Sequence, residues 1–430
     1  MNILLQNIKL YAPTHSLHNR RVNLLVNNGK VTDITESDIA SADTVIDGSE
    51  LSVSVGWTDL RAALNEPGFE YKEDIQTLCK AAANGGFTDV AVLPNTYPVV
   101  DTAQAVLYIK QKSAFTPVNL HPIAAMTKKT EGKELSEMID LSEAGAKAFS
   151  DGLTHVHVDA VFGRALRYLQ PLNSMLMLYP EDDDLLEGGQ MNEGVSSTML
   201  GMKGIPTIAE EVAVSKALKM LEYYGGKIHF STISTAASVE LIRAAKAKGL
   251  QVTCDVAAYQ YAFTDEALFG FDTNLKVNPP FRIASDNEAI LEGLADGTID
   301  AIVSNHIPQD PESKHLEFDL ADFGMISLET AFATANTYHN GKLDIAKVVE
   351  KLSVAPRKLL NLDVKDITVG EDAVLTIFHD SIEWNFSENE IASISKNTPF
   401  TDKTLKGKAL GVINKGIVQF SELLKEKYQN

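Results

Sequence analysis

Eight short apolar runs, each followed by a stretch long enough for an amphipathic helix, constrain the fold more than any other feature of the chain. Apolar runs of four to seven residues are typical of buried strands, and strands that alternate with helices predict a parallel sheet with helices outside it. Eight such units are the number that forms a (β/α)8 barrel of the TIM type, an α/β fold. The runs are Leu51–Trp57, Asp89–Leu93, Val118–Ala124, Ala146–Phe149, Ser174–Leu178, Lys227–Phe230, Gln251–Cys254 and Asp300–Val303.

Two of the intervening segments carry a particularly clear helical pattern. Ala209–Tyr224 and Ala236–Lys248 both place apolar residues at i, i+3 and i+4. The second is followed by Gly249, a residue type that favours the position just after a helix end. Both segments are therefore predicted to be outer helices of the barrel.

The two ends of the chain have β character. Ile3–Tyr11 alternates polar and apolar residues, and Val22–Ile34 is typical of a hairpin that turns at Asn27-Asn28-Gly29. Near the other end, Ala373–Phe378 and Ala409–Val418 are predicted strands. We expect both ends to form one small β domain beside the barrel. The predicted boundaries are 1–51 and 364–430 for this domain and 52–363 for the barrel.

Composition excludes several classes of partner. The 430 residues include 58 acidic and 38 basic side chains, for a net charge of −20, which repels phosphate backbones and anionic lipid. No apolar stretch reaches 18 residues and no signal peptide is visible, so neither nucleic acid nor a membrane is expected as a partner. The two cysteines, Cys79 and Cys254, have no pairing or metal spacing, which favours a reducing cytoplasm and buried packing roles.

The residues after each apolar run decide what a barrel can catalyse, because active sites form at the carboxyl ends of the strands. A hydrolytic zinc site needs about three imidazole, thiolate or carboxylate ligands and an open position for water. The strand ends supply one histidine, His306, and a few acids such as Asp151. These residues alone predict a barrel without an evident metal centre.

Eight motifs are spread over nearly the whole chain. They are Glu66-Pro67-Gly68, Gly85-Gly86-Phe87-Thr88, Leu93-Pro94-Asn95-Thr96, Gly145–Asp151, Lys276–Arg282, Phe323-Gly324, Leu328-Glu329-Thr330 and Lys396–Phe400. Together they resemble the motifs of the dihydroorotase family, long bacterial type, in the amidohydrolase superfamily. The resemblance implies an amidohydrolase barrel with a flanking β domain, and reversible ring closure of carbamoyl aspartate to dihydroorotate on one or two zinc ions.

The resemblance also implies a ligand set that this chain lacks. The family holds its zinc with a His-x-His after strand one, an acidic group or modified lysine after strand four, single histidines after strands five and six, and an aspartate after strand eight that also acts as general acid and base. Only Asp151 matches a ligand position. The other positions are occupied here by Arg61, Ala63, Tyr179, Thr232 and Asn305. Without a metal-bound water, and with Asn305 in place of the base, we predict that the chain is catalytically inactive and carries no cofactor.

The substrate-recognition positions implied by the resemblance are altered in part. The family's arginine and its closing histidine are Asn65 and Gln309 here, while Asn95, Asn278 and His306 are retained. An arginine supplies two parallel hydrogen bonds to a carboxylate, so its loss weakens the binding of an anionic substrate. These five residues form a predicted vestigial substrate site.

Four further features each leave two interpretations open. Arg61 either pairs with Asp151 or Asp59 and replaces the charge of the metal, or points to solvent. His155-Val156-His157 has surface or capping roles, with a relocated metal pair as the alternative. His306 makes a structural hydrogen bond or contacts a ligand, and His229 is predicted to be a packed core residue. The acidic run Glu181–Asp184 is predicted to be a solvated loop, with partner binding as the alternative.

The leading hypothesis is a dihydroorotase-like protein of pyrimidine biosynthesis that is inactive and has a structural or regulatory role. By resemblance, its partner would be aspartate carbamoyltransferase, and a homo-oligomer is expected. The first alternative is an active dihydroorotase or other cyclic-amide hydrolase that uses Asp151, His306 and Tyr179 with an altered or absent metal site. The second is a binding module that retains a small ligand through Asn95 and Asn278.

Overall fold

The computed structural model describes residues 2–39, 42–154, 159–363 and 366–429. Five strands come first along the chain: β1 (Asn2–Tyr11), β2 (Arg21–Asn27), β3 (Lys30–Thr35), β4 (Thr44–Asp47) and β5 (Ser52–Val55). Strands β2 and β3 are antiparallel and turn at Asn28 and Gly29, both at positive φ, so the predicted hairpin is confirmed. Strand β1 pairs with β2 on one side and, over different residues, with β4 and β5 on the other.

The barrel is an eight-stranded parallel sheet in sequence order. A parallel bridge between Ala62 and His306 joins its first and last strands, so the sheet is nearly closed. The predicted barrel is thus confirmed. The eight barrel strands are β6 (Trp57–Ala62), β7 (Phe87–Val92), β8 (Asn119–Ala124), β9 (Ala148–Phe149), β10 (Met175–Leu178), β13 (Ile228–Phe230), β14 (Val252–Ala257) and β15 (Ala301–Val303). A separate two-stranded sheet, β11 (Met191–Asn192) and β12 (Gly204–Ile205), lies between β10 and β13 in the chain.

The assignment of the first barrel strand to Leu51–Trp57 is wrong. Ser52–Val55 belongs to the flanking sheet, where it pairs with β1 and with a strand from the other end of the chain. Gly56 separates it from β6, and a Cβ on this glycine would lie 2.2 Å from Thr88 Oγ1. The apolar run therefore contributes to two sheets, and glycine is the only residue type that fits at the junction between β5 and β6.

The C-terminal part supplies three antiparallel strands: β16 (Leu375–Asn385), β17 (Thr404–Asn414) and β18 (Ile417–Phe420). They extend the flanking sheet in the order β18-β17-β16-β5-β1-β2-β3, so both chain ends build one sheet as predicted. The predicted strand Ala409–Val418 is divided between β17 and β18, because Lys415 and Gly416 turn at positive φ.

Helices surround the barrel, and both helices singled out in the sequence are confirmed, as α7 and α8. None in the described part of the chain has the length and apolar character that a membrane crossing requires. The α-helices are α1 (Ile75–Asn84), α2 (Ala103–Lys112), α3 (Met138–Ala144), α4 (Asp159–Leu169), α5 (Asp183–Leu186), α6 (Val195–Leu200), α7 (Thr207–Tyr224), α8 (Ala236–Ala247), α9 (Ala284–Asp296), α10 (Pro311–Lys314), α11 (Ala331–Tyr338), α12 (Ile345–Leu352), α13 (Val354–Leu359) and α14 (Glu422–Tyr428). Short 3-10 helices span Lys128–Thr130, Asp265–Gly270, Thr273–Leu275 and Glu388–Glu390.

Separate apolar cores support the two sheets. The inside of the barrel is filled by small and branched side chains, among them Leu60, Ala91, Ile123 and Val303. A larger core lies between the strands and the outer helices, and another lies under the flanking sheet. Because apolar side chains fill the barrel interior, a site within the barrel is expected at the carboxyl ends of its strands.

Candidate functional site

The carboxyl ends of the barrel strands bring the predicted site residues to one face. Arg61 is the penultimate residue of β6 and Tyr179 directly follows β10. Asp151, Thr232 and Asn305 each stand two residues beyond a strand, after β9, β13 and β15 respectively. All five are buried except Tyr179, which is part-buried as a residue but whose hydroxyl is enclosed.

A chain of hydrogen bonds crosses the barrel mouth from Arg61. Its Nε donates to Asn305 Oδ1 at 2.9 Å, and Asn305 Nδ2 donates to Tyr259 Oη at 2.7 Å. The guanidinium carbon lies 5.0 Å from the centre of the Tyr179 ring, a cation–π distance. Arg61 is only 1% exposed, so its guanidinium fills the interior of the mouth.

The hypothesis that Arg61 pairs with Asp151 or Asp59 is wrong, and so is the alternative that it points to solvent. Within the described residues, no carboxylate oxygen lies within 4.0 Å of its nitrogens, and Nη2 is buried without a hydrogen-bond partner. Both aspartates are held by hydroxyl and backbone groups closer to them. Burial lowers the pKa of Arg61, with Tyr179, Asp255, Tyr259 and Asp59 opposing the shift through longer-range charge interactions.

Asp151 is fully engaged by its own surroundings. Thr127 donates its backbone N–H to Oδ1 at 2.8 Å and its hydroxyl to Oδ2 at 2.6 Å. Burial raises the pKa of this carboxyl, and the bonds from Thr127 oppose the rise. Both carboxylate oxygens thus have a partner on the strand-three side of the mouth.

Tyr179 and Thr232 offer oxygens of low basicity. Burial and the nearby Glu181 raise the pKa of Tyr179 well above 10, so its hydroxyl stays protonated, and it has no hydrogen-bond partner. Thr232 donates its hydroxyl to the Ser231 carbonyl at 2.8 Å. Its φ of 56° is a strained left-handed conformation for a β-branched residue, and its N–H donates to Asp255 Oδ1 at 2.6 Å.

Beneath this layer, two buried aspartates connect neighbouring strands. Asp255 accepts from Thr232 and lies 2.8 Å from His229 Nε2, so His229 is the packed core residue that the sequence predicts. Asp59 accepts from the backbone N–H of Ser304 at 2.8 Å and from its hydroxyl at 2.6 Å. Burial raises the pKa of Asp59 from 3.8 to about 7.

The raised pKa of Asp59 predicts a loss of stability as the pH rises. The folded chain keeps the proton up to about pH 7, whereas the unfolded chain releases it above about pH 4. The free energy of unfolding should therefore fall between these values, by as much as about 4 kcal/mol for this group. In Asp59→Asn the amide can still bond Ser304, so we expect a flatter curve in denaturant titrations at several pH values. If the free energy of unfolding depends equally on pH in Asp59→Asn and in the exposed control Asp33→Asn, the prediction is contradicted.

Glu181 is not part of a solvated loop, so that prediction is wrong for this residue. It is 7% exposed and accepts from Asn278 Nδ2 at 2.7 Å, while Asp183 and Asp184 are exposed and begin the short helix α5. Burial raises the pKa of Glu181 to about 7, with the bond from Asn278 opposing the rise. The side chain of Asn278 is thereby held toward Glu181, and its Oδ1 is buried without a partner.

A second part of the mouth lies beside the loops after β6, β7 and β15. Asn65, Asn95 and Gln309 line one pocket there, together with Ala63 and Lys72. Asn95 bonds the Asp151 carbonyl and the Leu153 N–H, at 3.1 Å each. Three of the five predicted substrate positions therefore share a pocket, whereas Asn278 lies with Glu181.

His306 directly precedes Ile307, which lines this pocket, but is not itself a lining residue. Its Nδ1 accepts from the backbone N–H groups of Ser327 and Leu328, at 3.0 and 3.3 Å, which is the structural role of the two interpretations. Its Nε2 is buried, has no hydrogen-bond partner and lies 3.6 Å from Glu73 Oε2. The ring is therefore oriented by the chain itself.

Zinc prefers thiolate, neutral imidazole and carboxylate ligands in a tetrahedral arrangement. The six family ligand positions hold a guanidinium, a methyl group, a protonated phenol, a hydroxyl, an amide and one carboxylate that is already engaged. Nowhere in the described ranges do three His, Cys, Asp or Glu side chains come together as a metal site would require. The residues at the mouth do not fit a zinc ion. His155-Val156-His157 lies outside the described residues.

The sequence interpretation missed Lys72 and Tyr259, and it misassigned Glu181. Tyr259 and Glu181 could have been found, because both stand two or three residues after a strand end. Lys72 carried no such signal, since it lies ten residues beyond β6 and its partner Gln309 comes from the far end of the barrel.

Comparison with known proteins gives concordant results. Residues 52–238 match a family model described as dihydro-orotase-like. A protein named dihydroorotase from Citrifermentans bemidjiense is 40% identical over 423 residues, covering 98% of this chain and 100% of that relative. One of the same name from Acetivibrio thermocellus is 42% identical over 405 residues, covering 93% and 95%.

Solved structures share the fold at lower identity. An L-hydantoinase (dihydropyrimidinase) from Arthrobacter aurescens superimposes with a TM-score of 0.85 at 22% identity, covering 97% of this chain and 95% of the other. A dihydropyrimidinase from Brevibacillus agri gives a TM-score of 0.83 at 18% identity, covering 98% and 96%. These structures share the fold, an eight-stranded barrel with a flanking sheet. The full-length relatives, at 40% and 42% identity, show that this chain belongs to the dihydroorotase family.

Proposed function

We propose that this chain is a catalytically silent member of the dihydroorotase family that serves pyrimidine biosynthesis through a structural or regulatory role. The observation that carries the proposal is the position of Arg61, whose buried guanidinium occupies the mouth and bonds Asn305. A fixed cation with no carboxylate within 4.0 Å in the described chain repels a dication placed beside it.

The remaining residues support the same proposal. A zinc-dependent hydrolase needs a metal-bound water and a base to move its proton. Asn305 is an amide held between Arg61 and Tyr259, and it has no proton-accepting nitrogen or carboxylate to offer. The fold, in contrast, is retained through both sheets, which is what a structural role requires.

The decisive experiment is a zinc analysis of the purified full chain together with a dihydroorotase assay in both directions, with zinc supplied. We expect no stoichiometric zinc and no turnover, because the mouth has no fitting ligand set. The dihydroorotase of Citrifermentans bemidjiense, handled in parallel, is the positive control. Stoichiometric zinc with turnover would overturn the proposal.

We further propose a cytoplasmic homo-oligomer that assembles with aspartate carbamoyltransferase. The support is the family membership and the retention of the fold without the site. Co-purification of the tagged chain with that enzyme, in cells that express both, is the expected result. Recovery of the chain without aspartate carbamoyltransferase under those conditions would count against this partner.

A second candidate, a cyclic-amide hydrolase with an altered or absent metal site, is favoured by one observation. Glu181, with a pKa raised to about 7, is suited to accept and return a proton at neutral pH. Tyr179 and Asp151 are less suitable, because the first stays protonated and the second is engaged by Thr127. Turnover of dihydroorotate by zinc-free protein, lost in Glu181→Gln, would favour this candidate over the first.

A further inference from the structure

The loop that follows the last barrel strand is held in place by two buried lysines. This strand-eight loop runs from Asp310 to Phe323 and contains the short helix α10. Its ends are close together, because Ile307 donates its backbone N–H to the Met325 carbonyl at 2.8 Å. Within the loop, Phe318 is 6% exposed and belongs to an apolar core. The loop therefore packs on the body of the protein.

Lys276 lies outside the loop and binds two of its carbonyls. It directly follows a short 3-10 helix and is 2% exposed, and its Nζ donates to the carbonyls of Phe318 at 2.7 Å and Asp319 at 3.1 Å. The same nitrogen lies 5.4 and 4.8 Å from the ring centres of Phe318 and Phe323, which are cation–π distances. Burial lowers the pKa of Lys276 to about 8, with Asp319 and Asp322 opposing the shift. Carbonyls and aromatic faces together therefore stabilise its charged form.

Lys314, the last residue of α10, ties the loop to this anchor from within. It is 3% exposed, and its Nζ donates to the carbonyls of Asp322 at 2.8 Å and Lys276 at 3.4 Å. In the described part of the chain it has no third acceptor, and no carboxylate oxygen lies within 4.0 Å of it. An ammonium has three N–H donors, whereas the uncharged amine has two. The two carbonyls therefore match the uncharged amine of Lys314.

The charges around Lys314 agree with this geometry. Burial lowers the pKa of Lys314 from 10.5 to about 7, and the charge of Lys276 adds to the shift. Asp322 and Asp272 act in the opposite direction. The side chain of Asp322 is 54% exposed and lies 3.6 Å from Lys72 Nζ, so solvent screens its charge and a second lysine shares it. These carboxylates therefore compensate only part of the cost of burying a charge on Lys314.

We propose that Lys314 is a proton-sensitive latch, which holds the strand-eight loop closed in its uncharged form and releases the loop when it is protonated. In the open loop the amine is solvated and takes up a proton as lysine does in water. Between about pH 7 and 10.5 the closed loop binds fewer protons than the open loop, so closure strengthens as the pH rises and weakens as it falls toward 7. Opening separates the Phe323 carbonyl from Gln309 Nε2, 2.7 Å away at the barrel mouth. The latch goes beyond the proposed silent role and is tested without zinc or turnover.

The test is hydrogen–deuterium exchange of the full chain at pH 7 and pH 8, read by mass spectrometry and corrected for the intrinsic exchange rates. We expect the protection of the strand-eight loop to rise at least about fivefold from pH 7 to pH 8, because opening then requires the uptake of a proton. Peptides from α7 are the internal reference and should not change, since the opening is local. Equal loop protection at the two pH values, or the same change in α7, would overturn the proposal.

Variants assign the effect to Lys314. Lys314→Met removes the titrating group, so at most about a twofold rise should remain, which is the part expected from Lys276. Lys314→Arg stays charged at both pH values, so its loop should be less protected than the wild-type loop at pH 8. The matched control is Lys358→Met, an exposed lysine beside the opposite end of the strands, which should keep the full rise. A fivefold rise that survives in folded Lys314→Met protein would sink the inference.

Discussion

Replacement of Arg357 by methionine should lower the free energy of unfolding by about 3–5 kcal/mol, because it leaves a buried carboxylate without its cation. Arg357, in α13, donates from Nη1 to Asp89 Oδ2 at 2.6 Å, and the two side chains are 7% and 2% exposed. The measurement is a guanidinium titration followed by circular dichroism. A loss below about 1 kcal/mol, the value for surface pairs, would contradict the prediction.

The expected loss is large because the other partners of Asp89 keep its carboxylate ionised after Arg357 is removed. His121 Nε2 lies 2.8 Å from Oδ1, and Asn119 and Thr88 donate to the carboxylate at 3.1 and 2.8 Å. These groups are arranged for an ionised carboxylate, and they remain when Arg357 is removed. The matched control is Arg20→Met, whose exposed partner Glu36 lies 3.2 Å away and whose loss should cost at most about 1 kcal/mol.

The same cluster sets the acid sensitivity of the fold. The bond from His121 and the charge of Arg357 hold the pKa of Asp89 well below 3.8, against the effect of burial. The unfolded chain takes up this proton near pH 4, before the folded chain does, so the stabilisation is present above that pH and is lost as the pH falls. Lowering the pH below about 4 therefore reduces the free energy of unfolding through Asp89. Raising the pH from about 4 to 7 reduces it through Asp59, whose pKa is shifted in the opposite direction.

The barrel could be predicted from the sequence because parallel strands are buried on both faces and form continuous apolar runs. The first barrel strand was assigned wrongly because β6 is not a continuous apolar run. Strand β6 contains Asp59 and Arg61, charged residues that the apolar pattern excludes from a buried strand. They are accommodated because Ser304 and Asn305, more than 240 residues later, supply their hydrogen bonds. Such partners are not visible in a local pattern.

The candidate site divides in the same way. The family ligand positions could be identified from the sequence, because each lies at or just after a strand end in a recognisable motif. The partners of those residues could not. Glu181 is buried by Asn278, 97 positions away, and Lys72 reaches Gln309, 237 positions away. Charged residues in a polar segment look solvated until the fold brings their partners to them.

Arg61 belongs to a closed polar core at a position where the family, by resemblance, holds a zinc ligand. Its guanidinium gains one neutral hydrogen bond and one aromatic face, and none of its nitrogens lies within 4.0 Å of a carboxylate in the described ranges. An arginine held in this way is costly to bury and contributes little to stability. Its retention at the mouth is therefore compatible with a chain whose fold is stabilised elsewhere, at the cluster around Asp89 and at the junction of the two sheets.

Replacement of Trp57 by alanine tests that junction and should lower the free energy of unfolding by about 3–5 kcal/mol. Trp57 is fully buried at the start of β6, and its ring lies 4.7 Å from Phe332 and 5.4 Å from Phe378 between ring centres. Phe378 belongs to the flanking sheet, and Trp57 Nε1 donates to Ser54 Oγ at 2.9 Å in the same sheet. One side chain therefore stabilises both sheets, and its removal should leave a cavity between them.

The other tryptophan of the chain provides the matched control. Trp384 is part-buried at the far end of β16, where Lys408 Nζ lies 3.8 Å from its ring centre. Because solvent already reaches this ring, Trp384→Ala should cost less than half as much as Trp57→Ala. Circular dichroism in guanidinium is the measurement, since fluorescence changes with the loss of either indole. Equal losses in the two variants would mean that the cavity at the junction is filled by movement of the flanking sheet against the barrel.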